Sequence, residues 1–140
     1  MTCYAVIDTN VLVSALLTSN NDSATVQVVS KLIEGEIIPV YSNEIKKEYR
    51  EVLGRRKFGF SADIVSYLLS AMEQYGVFIE PSPSGIILPD MKDLPFYEVV
   101  LEKMKESNDA YLVTGNTKHF PVKPFVVTPR ELMDILKNAK

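Results

Sequence analysis

The sequence predicts an α/β fold, a three-layer α/β/α sandwich around a central parallel sheet of about five strands. Three observations lead there. Short apolar runs alternate with amphipathic segments along the chain. The first run, Cys3-Tyr4-Ala5-Val6-Ile7, is continuously apolar, as expected of a strand buried on both faces. Capping residues stand before the amphipathic segments, and Gly35 and Gly76 follow two of them. Strands separated by helices form a parallel sheet with helices on both faces. With 140 residues, 46% hydrophobic and 24% charged, the expectation is one globular domain over residues 1–140.

Each element follows in order. Residues 3–7 are the first strand, and Asn10 is placed to cap a helix through about Leu17. After the polar break Asn20-Asn21-Asp22-Ser23, Asp22 or Ser23 caps a helix with Val26, Val29 and Ile33 on its apolar face. Gly35 suits its end. Residues 37–41 are a second strand, in which Pro39 implies an edge, a strand end or an irregularity. Ser42 caps a helix to about Leu53, and a basic turn spans 54–59. Ser61 caps the next helix, Gly76 ends it, and residues 77–80 are a third strand. After a Pro- and Ser-rich loop, residues 86–88 read as extended. The stretch 90–93 leads into a helix to about Glu106, with Pro95 in its first turn. Residues 110–114 and 125–127 are the fourth and fifth strands, and Thr128 caps a last helix.

Composition narrows the function. One cysteine, Cys3, excludes an internal disulfide framework and a thiolate zinc cluster, so a reducing, cytoplasmic setting is expected. No apolar run approaches the ~18 residues of a membrane span. The N-terminus has no basic start and reaches Asp8 too early for a signal peptide. Net charge is −3, so any nucleic-acid contact must be a local patch.

In parallel sheets, ligands gather beyond the carboxyl ends of the strands. Asp8 directly follows the first strand; it is either a cap or a functional acid there. On the helix after the second strand, the apolar stripe is Ile45, Tyr49, Val52 and Leu53. At 100° per residue Glu48 borders this stripe, whereas Glu44 and Glu51 point outward. Asp93 opens the helix after the third strand, with Asp90 as its competitor. Asn116 follows the fourth strand. Asp109 precedes that strand, roughly 20 Å away along an extended chain, and reads as structural. Asp8, Glu48, Asp93 and Asn116 thus converge on one sheet edge. Three carboxylates in a small space need a cation or protons, and hard oxygen ligands suit Mg²⁺ or Mn²⁺. Such an ion activates water toward a phosphate ester.

These residues stand in motifs that resemble the PIN-domain family. Val6-Ile7-Asp8-Thr9-Asn10-Val11-Leu12 is similar to its opening strand and turn. Tyr41-Ser42 with Glu48 and Val52-Leu53 resembles its second acidic motif, and Asp90-Met91-Lys92-Asp93 its third. Tyr111-Leu112-Val113-Thr114-Gly115-Asn116, followed by His119-Phe120, resembles its last. The likeness covers nearly the whole chain and looks closest to toxin nucleases of prokaryotic toxin–antitoxin pairs. It implies a ribonuclease dependent on Mg²⁺ or Mn²⁺, silenced by a small antitoxin and assembled as a homodimer or higher homo-oligomer. Asp8, Glu48, Asp93 and Asn116 would be its catalytic and metal residues, supported by Thr9, Asn10, Ser42 and Thr114. Many relatives carry Asp where this chain has Asn116, which removes one charge.

Lys46, Lys47, Arg50, Arg55, Arg56 and Lys57 form a basic cluster able to track a phosphate backbone, or an ordinary solvated helix end. His119, the only histidine, is not required by so acidic a site. Two other readings stay open. One is a haloacid-dehalogenase-like phosphatase with Asp8 as nucleophile, although that class wants Asp where Asn10 stands. The other is an RNA- or protein-binding domain of the same fold with a weakened metal site.

Overall fold

The computed structural model describes residues 2–138, so the outermost ends of the expected 1–140 domain lie outside the described residues. Five strands form one parallel sheet: β1 (Cys3–Ile7), β2 (Ile37–Tyr41), β3 (Val77–Phe78), β4 (Ala110–Val113) and β5 (Val126–Val127), in the order β3-β2-β1-β4-β5. β1 is the central strand, with β2 and β4 paired on its two edges. That place explains its unbroken apolar run: only Tyr4 of its residues is not fully buried.

The helices are α1 (Thr9–Leu17), α2 (Ala24–Glu34), α3 (Asn43–Leu53), α4 (Ala62–Tyr75), α5 (Leu94–Met104) and α6 (Pro129–Asn138). α5 lies across β1, β2 and β4, while α2 packs on β2, α1 and α6. The central parallel sheet with flanking helices is the α/β/α sandwich expected. Its core includes Ile7, Leu12, Leu32, Ile37, Tyr49 and Phe96, all essentially inaccessible.

Several local expectations are corrected. Asp8, rather than Asn10, caps α1, because its carboxylate accepts from the Asn10 amide two residues ahead. Ser61 stands before α4 without a side-chain capping bond. β3 ends at Phe78; the ladder yields one more bond, from the Ile79 amide to the Tyr41 carbonyl at 2.9 Å. Beyond it Pro81 and Pro83 have no amide hydrogen to pair. Residues 86–88 form no strand. The loop just before them is strapped to α5, with the Ser84 amide donating to Glu98 at 2.6 Å and the Ser82 amide to Glu102 at 3.3 Å.

Pro39 lies inside the sheet rather than on its rim. It pairs with Ala5, but the β3 ladder starts only at Val40, one residue beyond the missing donor. Other caps are where expected. Ser42 accepts from the Ile45 amide at 3.2 Å, and Ser23 from Val26 at 3.3 Å. Thr128 and Glu131 exchange side-chain-to-amide bonds of 3.1 and 2.9 Å, a reciprocal capping box for α6.

Candidate active site

From β1 the chain proceeds to β2 and β3 on one side, and β4 and β5 lie on the other. The crevice between the carboxyl ends of β1 and β4 is therefore the sheet's topological switch point, where α/β sheets bind ligands. Asp8 is the first residue past β1, and its amide donates to Val113 of β4 at 2.9 Å. It is 6% exposed. One carboxylate oxygen receives the Asn10 amide at 3.3 Å, the other the Thr114 hydroxyl at 2.7 Å. The Thr114 oxygen in turn accepts from the Asn116 amide at 3.0 Å, so one buried hydroxyl joins two of the sequence-predicted site residues.

Glu48 comes from α3. The buried Tyr49 beside it donates its hydroxyl to the Ile7 carbonyl at 2.5 Å, fastening this turn of α3 to the end of β1. The Thr9 hydroxyl donates to the Glu48 carboxylate. Glu48 is half-buried, whereas Glu44 and Glu51 are exposed, as the stripe geometry predicts. Burial is the main cause that raises the Glu48 carboxyl above its ordinary range. The Thr9 bond opposes this, and the charges of Asp8 and Asp93 add to it.

Asp93 closes a 3₁₀ turn, Met91–Asp93, at the entry to α5. Asp90 takes the capping task, its carboxylate receiving the Lys92 amide at 3.0 Å. Asp93 makes no capping bond and bonds instead to His119 Nδ1 at 3.1 Å. Its carboxyl is raised first by burial, then by the charges of Asp8 and Asp90, against the pull of His119. His119 Nε2 lies 3.0 Å from the Asn116 side-chain nitrogen. Sequence reasoning set His119 aside. Its link to Asp93 spans 26 residues and leaves no local trace, although its three-residue spacing from Asn116 is a turn signal.

The supporting residues divide. Thr9 and Thr114 bond the acids directly. Ser42 is buried but serves the α3 cap, and Asn10 contributes its backbone amide while remaining exposed. The basic cluster also divides. Lys46 and Arg50 turn to Glu73 of α4, at 3.6 and 3.1 Å. Lys57 lies over the Phe58 ring, and Arg56 is exposed. Lys47 and Arg55 line a groove of about 540 Å³ together with Glu48, Phe96 and Lys92, a lysine outside the expected cluster. Arg55 there is paired to Glu51 at 3.4 Å. Asp109 stands at the other end of β4, its carbonyl bonded by the Tyr4 amide at 2.9 Å.

A divalent cation fits the donor chemistry of this crevice. Its acids offer oxygen alone, and none of the described ion pairs engages Asp8 or Glu48. Among the described residues, no group of three His, Cys, Asp or Glu side chains is preassembled to hold an ion. The charge of Asp8 is one of the causes, after burial, that raise the Glu48 and Asp93 carboxyls.

Fold and crevice together define a doubly wound parallel α/β domain with acids gathered at its switch point. The chain belongs to the PIN-domain family, whose model, described as PIN domain, matches residues 4–118. Residues 8, 48, 93 and 116 all fall inside that span. No curated protein and no solved structure matches the chain. PIN domains are in general nucleases, so the fold is a nuclease fold. No helix among the described residues is long and apolar enough to cross a membrane.

Proposed function

We propose that this PIN domain is an Mg²⁺- or Mn²⁺-dependent endoribonuclease that hydrolyses RNA phosphodiester bonds. The observation that supports the reading is Asp8 at the carboxyl end of β1, bonded to Thr114, with Glu48 of α3 bonded to the adjoining Thr9; burial first, and the charge of Asp8 after it, raises the Glu48 and Asp93 carboxyls. Mutual repulsion of this kind is relieved by a bound cation. Asp8, Glu48 and Asp93 would hold the ion, with Asn116 offering a neutral carbonyl oxygen. When bound, it would lower the pKa of a water and polarise a phosphate oxygen.

The chain's own residues prepare that chemistry. Thr114 and the Asn10 amide fix the Asp8 carboxylate, and Thr9 fixes that of Glu48. Lys47, Arg55 and Lys92 line the groove that contains Glu48, on the path a phosphate backbone would follow. The motif resemblance supports the finer role of a toxin in a type II toxin–antitoxin pair, silenced by a small protein and assembled as a homodimer or higher oligomer, in the cytoplasm. Asn116, a neutral residue where many relatives carry an acid, supports a second reading: a binding domain of this fold with a weakened metal site.

The test incubates the purified chain with single-stranded RNA, single-stranded DNA and a small phosphomonoester, with Mn²⁺ or with chelator. Cleavage of RNA alone, dependent on Mn²⁺ and lost in Asp8→Asn, is the expected result. RNA binding without cleavage supports the second reading. Turnover of the phosphomonoester alone overturns both.

A further inference from the structure

We propose that His119 is a positioning residue that clamps Asp93 to Asn116 and thereby turns the Asn116 carbonyl oxygen toward the acidic crevice. The inference rests on the metal-site reading above. Two bonds carry it. His119 Nδ1 is 3.1 Å from an Asp93 carboxylate oxygen, and Nε2 is 3.0 Å from the Asn116 amide nitrogen. A carboxylate only accepts, so Nδ1 carries the hydrogen; the amide NH₂ only donates, so Nε2 accepts. These demands select one neutral tautomer, protonated at Nδ1. With its nitrogen held by the imidazole, the Asn116 amide has one orientation. Its oxygen has no hydrogen-bond partner among the described residues. The Asn116 backbone is fixed separately, through its amide on Thr114.

The clamp gives Asn a role that Asp could not fill in the same way. An Asp at 116 would present an acceptor to the acceptor nitrogen of the ring. Asn116 thus serves as donor to the histidine and as oxygen ligand to the crevice, and the same ring aligns the Asp93 carboxylate. Partners of metal ligands that act in this way are worth about 10–100-fold in metal affinity when removed.

The test uses the intact chain and three variants. Calorimetric titration with Mn²⁺ is expected to weaken about 10–100-fold in His119→Ala. His119→Gln places an amide oxygen near the Nε2 position and keeps the Asn116 bond. His119→Asn places an amide nitrogen near the Nδ1 position and keeps the Asp93 bond. Each is expected to recover part of the affinity. Independently, ¹⁵N spectra of the metal-free protein are expected to show the Nδ1-protonated tautomer. Unchanged affinity in His119→Ala, no recovery in either amide variant, or the Nε2-protonated tautomer overturns the clamp. If the wild-type chain takes up no Mn²⁺, the metal reading falls and the tautomer alone decides the clamp.

Discussion

The Thr114 hydroxyl donates to the Asp8 carboxylate over 2.7 Å of space and 106 residues of sequence. This buried bond ties the ends of the two strands that flank the switch point. Replacing Thr114 by Val keeps the shape and removes the donor. A hydrogen bond to a charged buried group contributes about 1.5–3 kcal/mol. Thr114→Val is expected to lose stability of that order in urea unfolding, and to release the Asn116 amide as well. An unchanged midpoint refutes the role given to this hydroxyl.

Glu48 and Glu44 lie one helical turn apart on α3 and differ in exposure. Glu48→Gln is expected to lower RNA cleavage about 100-fold or more, the scale of a functional carboxylate. Glu44→Gln, a surface change, is expected to stay within about twofold of wild type. Equal losses in initial-rate assays would show that helix phase does not select the functional acid.

Acid–base titration gives a third expectation. Glu48 and Asp93 are raised above their ordinary values of 4.5 and 3.8, so the folded chain holds these protons more tightly than the unfolded chain. The stability this adds is fully present below those ordinary values and is lost as pH rises through the raised ones. Urea unfolding of the chelated protein from acid to neutral pH is expected to show a smaller decline in Glu48→Gln than in wild type. An equal decline would place the Glu48 proton outside the folding equilibrium.

Much of this arrangement was legible in the sequence. The unbroken apolarity of residues 3–7 betrayed a central strand, and the polar residue that ended it was Asp8. The stripe of Ile45, Tyr49 and Leu53 placed Glu48 correctly at its border. What escaped depended on distant partners. Glu73 diverts Lys46 and Arg50 away from the groove, and it lies on another helix. Asp93 gives His119 its place from 26 residues away. Residues 86–88 have the apolar content of a strand but join no sheet, which local preference could not reveal.

Gly76 offers a test of packing remote from the acids. A Cβ there would lie 2.7 Å from the Pro39 carbonyl and would also collide with the Met72 carbonyl. Both obstacles are backbone, so neither can swing aside. Gly76→Ala is expected to cost about 1–3 kcal/mol, as overpacking does. A lower urea midpoint at constant slope is the expected signature; an unshifted midpoint means that β3 can retreat from β2.

The long separation of Asp8 from Thr114 also has a consequence in time. Chains are synthesised at about 5–20 residues per second, so roughly 5–20 s pass between the making of the acid and the making of its partner. Throughout that interval the nascent chain carries Asp8, and later Glu48, without β4 beside them. Synthesis therefore imposes its own order on the crevice: the acid of β1 and that of α3 are made first, and they wait for β4 before the crevice can assemble.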